Sequence, residues 1–213
     1  MAQPLRDGVR TSAAIREAAA ELFYERGYQA ASLREIASAV GLKVGSLYNH
    51  LRSKEELLTD LMIAVMNELN VQLNAAVDGA PDNALARFEA AVACHVRFHA
   101  EHVRDVFIGN SELRSLAPGD REVILAARHA YEATVHALID DVARDLGAEV
   151  LNTKLQTYSI LAQGVHVASW YSKNGPLSID EIVAVYVQLA VRQLGLPAPS
   201  RGKRSQRGKA AAG

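Results

Sequence analysis

The chain has 213 residues, 49% of them hydrophobic, which is enough for one helical protein with a sizeable core or for two modest domains. A single cysteine excludes an intrachain disulfide and suits a reducing cytoplasm, and the sequence shows neither a signal peptide nor an apolar run long enough to cross a membrane. The net charge of −1 combines +2 over residues 1–52, −8 over residues 53–196 and +5 over residues 197–213. A weakly basic N-terminal unit on an acidic body is typical of a protein that binds DNA with one part only.

Residues 1–10 lack apolar periodicity and are predicted to form a flexible arm. Apolar residues then recur at helical spacing from Thr11 to Arg26, and Gly27 is suited to end this first helix. The helix should close a three-helix unit over the two short helices that follow.

A helix-turn-helix is predicted over about residues 32–51. Ser32 and Glu35 have the spacing of a capping box, which marks the start of a short helix, and Gly41 suits the left-handed position that ends it. A second helix of about two turns follows, with an apolar inner face centred on Leu47.

The outer face of this second helix is polar and carries no carboxylate, which is unusual for a merely solvated surface. Hydroxyl, amide, imidazole and ammonium groups suit the base edges and phosphates of a major groove in double-stranded DNA. The alternative is an ordinary helical hairpin with a solvated face. We therefore predict a DNA-binding domain over residues 11–52, with Lys54 and neighbouring backbone amides holding phosphate. The expected contacts are Arg34, Lys43, Ser46, Tyr48, Asn49, His50 and Lys54.

Residues 53–196 are predicted to form a second domain for ligand binding and dimerisation. Ser53 and Glu56 form another capping box, and the long helix that begins there should reach about Val77 and connect the two domains. No convincing strand is found, so the predicted fold class is all-α, with about nine helices in total. The later helices are expected at about 83–102, 104–116, 121–146, 149–172 and from 178 onward, followed by a disordered basic tail at 197–213.

The last two predicted helices are long and apolar, which suits a four-helix seam between two copies of the chain. Burial within one subunit is the competing explanation. The residues expected at the seam of a homodimer are Tyr158, Ala162, Trp170, Ile182 and Tyr186.

Five residues of the predicted helix at 83–102 fall on one stripe at helical spacing, and three of them are histidines. An apolar wall with a few polar groups is the usual form of a small-molecule site, and histidine can donate a hydrogen bond when neutral or balance charge when protonated. A metal bound by His95 and His99, and histidines simply buried in a core, are the alternatives. We predict a ligand site without metal or cofactor, formed by Phe88, Val92, His95, His99, His102, Phe107 and Tyr131.

Three segments carry a resemblance to a known family. The run GLKVGSLYNHLRSKEEL at residues 41–57, with AAAELFYERGY at residues 18–28, resembles the recognition helix and its surroundings in TetR-family transcriptional regulators. The sequence departs from the family at Leu51, where phenylalanine is usual, an exchange expected to lie in the core. The segment SWYSKNGPLS at residues 169–178 resembles a motif of a TetR subgroup that senses acyl-CoA thioesters.

The resemblance implies a homodimeric, ligand-responsive regulator, expected to be a cytoplasmic repressor. It would leave an inverted-repeat operator when a small hydrophobic effector binds, such as an acyl-CoA or a free fatty or aromatic acid. No phosphate-cradling glycine loop, zinc pattern or Ser, His and acid arrangement stands out, and we do not expect an enzyme. Two alternatives stay open: a helical enzyme using His95, His99 and His102, and a DNA-binding protein without an effector.

Overall fold

The computed structural model of the protein describes the backbone of residues 3–196 and the side chains of residues 8–196. Within these residues there are nine α-helices and no strand, which confirms the all-α prediction. No helix of this part of the chain is both long and apolar enough to cross a bilayer. The predicted tail at 197–213 lies outside the described residues. The helices are α1 Gln3–Arg26, α2 Leu33–Ala39, α3 Val44–Leu47, α4 Lys54–Asp78, α5 Ala84–Glu101, α6 Val103–Ser111, α7 Pro118–Leu146, α8 Thr153–Val167 and α9 Ile179–Gln193, with a 3-10 turn at Leu113–Ser115.

Helices α1 to α3 and the start of α4 enclose one apolar core, here called the head core. Its largest fully buried members include Phe23 of α1, Ile36 of α2, Leu47 of α3 and Leu58 of α4. Leu51 is also buried there, so the exchange from the usual phenylalanine is a core exchange, as expected.

The capping signals in this region are confirmed, but two helix lengths differ from the prediction. The Ser32 hydroxyl accepts from the Glu35 amide at 3.3 Å, and the Glu35 carboxylate accepts from the Ser32 amide at 3.0 Å. Helix α1 begins at Gln3 rather than Thr11, so the backbone from Gln3 onward is helical where an arm was predicted. Pro4 falls in its first turn, where the missing N–H breaks no helical hydrogen bond. Helix α3 is a single turn rather than two.

A second core, the body core, lies among the C-terminal half of α4 and helices α5, α7, α8 and α9. Helix α5 is central and packs against each of the other four. Gly164 of α8 sits so close to α5 that a Cβ placed on it would lie 2.2 Å from Cδ2 of His95. Only glycine therefore permits this helix crossing without displacing the His95 ring.

Several body helices end at other residues than the sequence predicted. Helix α8 spans Thr153–Val167, not 149–172, because the Asn152 side chain caps its start by accepting from the Leu155 amide at 3.0 Å. The Glu149 amide instead donates to the Gly195 carbonyl at 3.1 Å. The helix predicted at 104–116 is α6 followed by the separate 3-10 turn.

The two cores meet along helices α4, α6 and α7. In α6, Val106 belongs to the body core, whereas Ile108 belongs to the head core. Helix α7 likewise places Ile124 in the head core and Tyr131 in the body core. The head is thus joined to the body by three helices, where the sequence indicated only α4.

Candidate functional site

The polar outer face predicted for DNA contact is present at the α2–α3 unit. Lys43, Tyr48, Asn49 and His50 are exposed, and Ser46 is half-buried. Arg34, at the start of α2, is exposed as well. A four-residue helix is too short to be stable alone, so the fully buried Leu47 side chain is what holds this face in position.

Lys54 has a different position from the one predicted. Its ammonium nitrogen donates to the backbone carbonyls of Tyr28 at 2.8 Å and Ala31 at 2.9 Å, with a longer 3.4 Å contact to Gln29. It also lies 4.3 Å from the centre of the Tyr28 ring. An ammonium group has three N–H donors, and these contacts use them all. Lys54 therefore fastens α4 to the loop between α1 and α2, and its side chain is not free to hold phosphate.

A cavity of about 180 Å³ lies where the head core and body core meet. Met62 and Ile124 of the head core line one part of it. Leu69, Val106 and Leu161 of the body core line another. A mainly apolar cavity of slightly smaller size, about 150 Å³, is known to accept benzene, so this one accommodates a compact apolar group.

The predicted histidine stripe is divided between this cavity and its surroundings. His95, His99 and Tyr131 line the cavity as predicted. Phe88 and Val92 are instead buried in the body core and do not reach it. Helix α5 is closely packed on several sides, so residues of one stripe contact more than one neighbouring helix.

The other two predicted ligand residues lie away from the cavity. The His102 ring stacks on Phe98 at 4.0 Å, and its Nε2 lies 3.6 Å from the Glu68 carboxylate. Phe107 is exposed and packs edge-on against Tyr24 of α1 at 5.3 Å between ring centres. Neither residue lines the cavity, so neither is part of the ligand site that we assign to it.

His95 is hydrogen-bonded at both ring nitrogens. Nε2 lies 2.9 Å from the Leu161 carbonyl, which can only accept, so Nε2 carries the proton. Nδ1 then accepts from the Tyr131 hydroxyl at 2.5 Å. Burial and the neighbouring His99 lower the pKa of His95 well below its ordinary value of 6.5.

His99 is also neutral at pH 7. Burial lowers its pKa to about 4, partly opposed by the hydrogen bond that Nδ1 donates to the His95 carbonyl at 2.8 Å. Two neutral imidazoles cannot balance an anionic charge, contrary to the role that the sequence allowed for them. The described residues contain no group of three His, Cys, Asp or Glu placed to hold a metal. With both His95 nitrogens in use, the pair offers a metal at most one lone pair.

Three charged residues that line the cavity were not predicted from the sequence, namely Asp105 of α6 and Arg128 and Glu132 of α7. Arg128 lies three residues before Tyr131, on the same side of a helix, and that spacing is the signal that would have found it. Asp105 already has a partner, since its carboxylate lies 3.4 Å from Nε of Arg104.

The residues predicted for a dimer seam are partly exposed and partly buried. Tyr158, Ala162 and Trp170 are exposed. Ile182 is buried in the body core of its own subunit and is not available to a partner, so burial within one subunit is correct at that position. Tyr186 is half-buried against the same core. Exposed apolar side chains that the prediction missed include Leu155, 65% exposed, and Val185, 53% exposed.

Two protein-family models match this arrangement of head and body. Residues 15–61 match bacterial regulatory proteins of the tetR family, and residues 81–194 match the tetracyclin repressor-like C-terminal domain. The chain belongs to the TetR family of transcriptional regulators. The family predicted from residues 18–28 and 41–57 is thereby confirmed.

Curated TetR-type relatives cover most of the chain. The HTH-type transcriptional repressor KstR2 of Mycobacterium tuberculosis is 27% identical over 178 residues, covering 82% of this chain and 88% of the relative. The HTH-type transcriptional activator FasR of Mycolicibacterium smegmatis is 29% identical over 176 residues, covering 81% and 78% respectively.

Solved structures show the same TetR fold. A tetR-family regulatory protein from Rhodococcus RHA1 has a TM-score of 0.81 and 28% identity, covering 88% of this chain and 98% of that one. AibR, solved with isovaleryl coenzyme A and operator DNA, has a TM-score of 0.76 and 24% identity, covering 84% of this chain and 97% of its own. At that identity AibR is evidence for the fold alone.

Proposed function

We propose that this TetR-family protein is a homodimeric repressor that leaves an inverted-repeat operator when a compact hydrophobic effector fills the cavity. The observation that carries the proposal is the position of the cavity between the head core and the body core. A ligand there contacts side chains of both cores at once, so its binding energy depends on how the two are placed relative to each other.

The exposed polar face of the head supports the DNA-binding part of the proposal. Lys43, Ser46, Tyr48, Asn49 and His50 would enter the major groove, and Arg34 would contact the DNA backbone. The face contains no carboxylate, so nothing on it repels phosphate. Lys54 is left out because its ammonium is used within the head.

Exposed apolar side chains on the last two helices support a dimer. Leu155 and Tyr158 of α8 and Val185 and Leu189 of α9 are large and exposed, although they belong to helices that otherwise pack on the body core. Covering such surface with a second copy would place two heads at a fixed spacing. The operator would then be an inverted repeat with half-sites about one DNA turn or slightly more apart, about 34–36 Å per turn.

The three helices that join the cores provide the route from effector to DNA. Helix α4 lines the cavity with Met62 and Leu69, and its first turns carry Leu57 and Leu58 into the head core. A ligand that moves α4, α6 and α7 apart therefore tilts the head. In a dimer, a small tilt of each head changes the distance between the two recognition helices.

The size of the cavity sets the energy available. To change the protein from almost fully operator-bound to almost fully released, the effector must bind the released form about 5.5 kcal/mol more favourably than the operator-bound form. At about 25 cal/mol per Å² of apolar surface, this corresponds to roughly 220 Å² buried only in the released form. One aromatic ring or a short branched acyl chain has a surface of this order. A free acid of this size fits entirely, whereas an acyl-CoA would place only its acyl group inside.

The test begins with capture of genomic fragments by the full-length protein and sequencing of what remains bound. Gel-shift titration of the recovered fragment at fixed salt should then show that Tyr48→Ala weakens binding by about 1–3 kcal/mol, with no change in thermal unfolding. Tyr24→Ala, which removes an exposed tyrosine of α1 outside the reading face, is the matched control. Equal affinity of Tyr48→Ala and the unchanged protein would contradict the DNA-contact assignment.

The effector is sought by adding compact acids, their amides and their CoA thioesters to the protein–operator complex. Release by at least one member supports an effector-controlled repressor. If none releases DNA, the protein is a DNA binder without an effector of these classes. Sustained turnover of a thioester would instead favour the enzyme alternative.

A further inference from the structure

The cavity contains one residue whose chemistry the proposed function does not yet use. Arg128 lies on α7, half-buried, and reaches the cavity one helical turn from Tyr131. Its Nη2 donates to the Gly109 carbonyl at 2.7 Å and lies at the limit of hydrogen-bond distance, 3.5 Å, from Oδ1 of Asn110. Both acceptors are uncharged, although a guanidinium carries a full positive charge at any physiological pH.

Arg128 lacks a directly bonded counter-charge. Among the residues with described side chains, no carboxylate forms an ion pair with it, and Glu132 acts on it only at longer range. Burial lowers the pKa of Arg128, with Glu132 opposing that shift. Removing a cation from water is unfavourable unless an anion accompanies it, so this guanidinium gains from an added carboxylate.

None of the other titratable groups that line the cavity carries a positive charge. His95 and His99 are neutral, and Tyr131 is a neutral hydroxyl already bonded to His95. Asp105 is a carboxylate and cannot hold another one; it lies 3.4 Å from Nε of Arg104, which also contacts Glu17 and Glu21. Arg128 is therefore the one cation among the described residues that line the cavity, and it stands beside an apolar volume suited to a ring or short chain.

We propose that Arg128 binds the carboxylate of the effector, which makes the effector a compact apolar acid in its free form rather than a thioester. This rests on the proposed function, because it assumes that an effector occupies the cavity. A guanidinium can hold a carboxylate through two parallel hydrogen bonds, which fix orientation as well as strength. The acid's apolar part then extends toward Met62, Leu69 and Leu161.

The same contact links recognition to movement. The Gly109 carbonyl belongs to the last turn of α6, where helix carbonyls lack intrahelical partners, and Arg128 supplies its partner. A carboxylate that takes over Nη2 removes that bond from α6. Helix α6 is in turn tied to α1 of the head, since Arg104 bonds Glu17 at 2.7 Å and Glu21 at 3.1 Å. Effector binding thus acts on a helix that contacts both the cavity and the head.

The experiment compares acids with neutral analogues of the same shape. Isothermal titration of the full chain uses benzoate with benzamide, hexanoate with hexanamide, and hexanoyl-CoA. Because a hydrogen bond to a charged group contributes about 1.5–3 kcal/mol, each acid should bind about 10- to 100-fold more tightly than its amide. Arg128→Gln should reduce that ratio to within about threefold, and Arg128→Lys should retain part of it.

Two further variants separate recognition from a structural role of Arg128. Glu132→Gln removes the carboxylate that acts on the charge of Arg128 at longer range and should raise acid affinity with little effect on the amides, a change opposite in sign to that of Arg128→Gln. Arg121→Gln alters an exposed arginine of the same helix outside the cavity. It should change neither the affinity for the acids nor the affinity for the amides. If Arg128→Gln lowers the unfolding temperature but leaves the acid-to-amide ratio unchanged, Arg128 only caps α6 and the proposal is overturned.

The remaining outcomes distinguish this proposal from the proposed function. Preference for hexanoyl-CoA over hexanoate, or equal binding of acids and amides, overturns the carboxylate assignment and leaves an effector-controlled repressor standing. If no compound binds the unchanged protein, both the carboxylate site and the compact effector are rejected.

Discussion

The head core and the body core are both helical and apolar, but they treat polar groups differently. The head core is built from aliphatic and aromatic side chains, and the buried hydroxyl that adjoins it, that of Thr59 next to Leu58, donates to the Asp120 carboxylate at 3.0 Å. The body core encloses His95, His99 and Thr157 and borders a cavity. A head that must present one fixed surface benefits from close packing, whereas a body that must accept a ligand needs space and polar groups within reach.

The largest expected effect comes from a substitution in the closely packed head core. Leu47→Ala removes the buried anchor of the single-turn helix α3, and large-to-small changes in a packed core cost about 2–5 kcal/mol. Urea unfolding should report this loss, and operator affinity should fall with it. Ligand affinity of the cavity, measured by calorimetry, should stay within about threefold. A parallel loss of both activities would show that the head and the cavity are one cooperative unit.

The next effect is in the body and depends on pH. The pKa of His99 is about 4 in the folded protein and 6.5 ordinarily. Between these values the unfolded chain binds a proton at this residue that the folded protein does not, so the contribution of His99 to stability falls as pH decreases from 6.5 to 4 and is constant below that. The difference corresponds to roughly 3 kcal/mol.

His99→Gln removes this titration, so its unfolding free energy should depend less steeply on pH between 6.5 and 4. His129→Gln, which changes an exposed histidine of α7, is the control and should keep the original slope. Identical slopes for all three proteins would contradict a neutral, buried His99.

A smaller effect tests the position of Lys54. Lys54→Met keeps the apolar stem but removes three bonds to loop carbonyls, and a loss of about 1–2 kcal/mol in unfolding free energy is expected. The dependence of operator affinity on salt should not change, because no phosphate contact is lost. Lys43→Met, at the exposed face, should reduce the slope of log operator affinity against log salt concentration by about 1, the effect of losing one phosphate contact, without loss of stability. The reverse result would restore the phosphate role that the sequence suggested for Lys54.

The head was largely predictable from sequence because its signals are local. The capping box at Ser32 and the left-handed glycines at 27 and 41 act over a few residues and are present as predicted. At Ser53 only half of the predicted box forms, because the Ser53 hydroxyl accepts from the Glu56 amide at 3.0 Å whereas the Glu56 carboxylate accepts from the Arg52 amide. Lys54 was misassigned because its carbonyl partners lie more than 20 residues earlier in the chain, and no spacing rule reveals them.

The body was less predictable for the same reason. A stripe on α5 shows which residues point in one direction, but not which of the five neighbouring helices they contact. Phe88 and Val92 therefore belong to the core, whereas His95 and His99 reach the cavity. The close approach of Gly164 to the His95 ring becomes visible only when the helices are assembled, whereas the helical spacing of Arg128 from Tyr131 could have placed Arg128 at the cavity from sequence.

The central claim is that the cavity and the DNA-binding face are coupled, and thermodynamic reciprocity tests it most directly. Affinity of the tightest-binding compound is measured by calorimetry for the free protein and for its operator complex. Operator affinity is then measured with and without saturating compound. The compound should bind each subunit of the operator complex at least tenfold more weakly, and with both subunits saturated the operator should lose affinity by the product of the two factors. Equal affinity of the compound for the free and operator-bound protein would contradict the account.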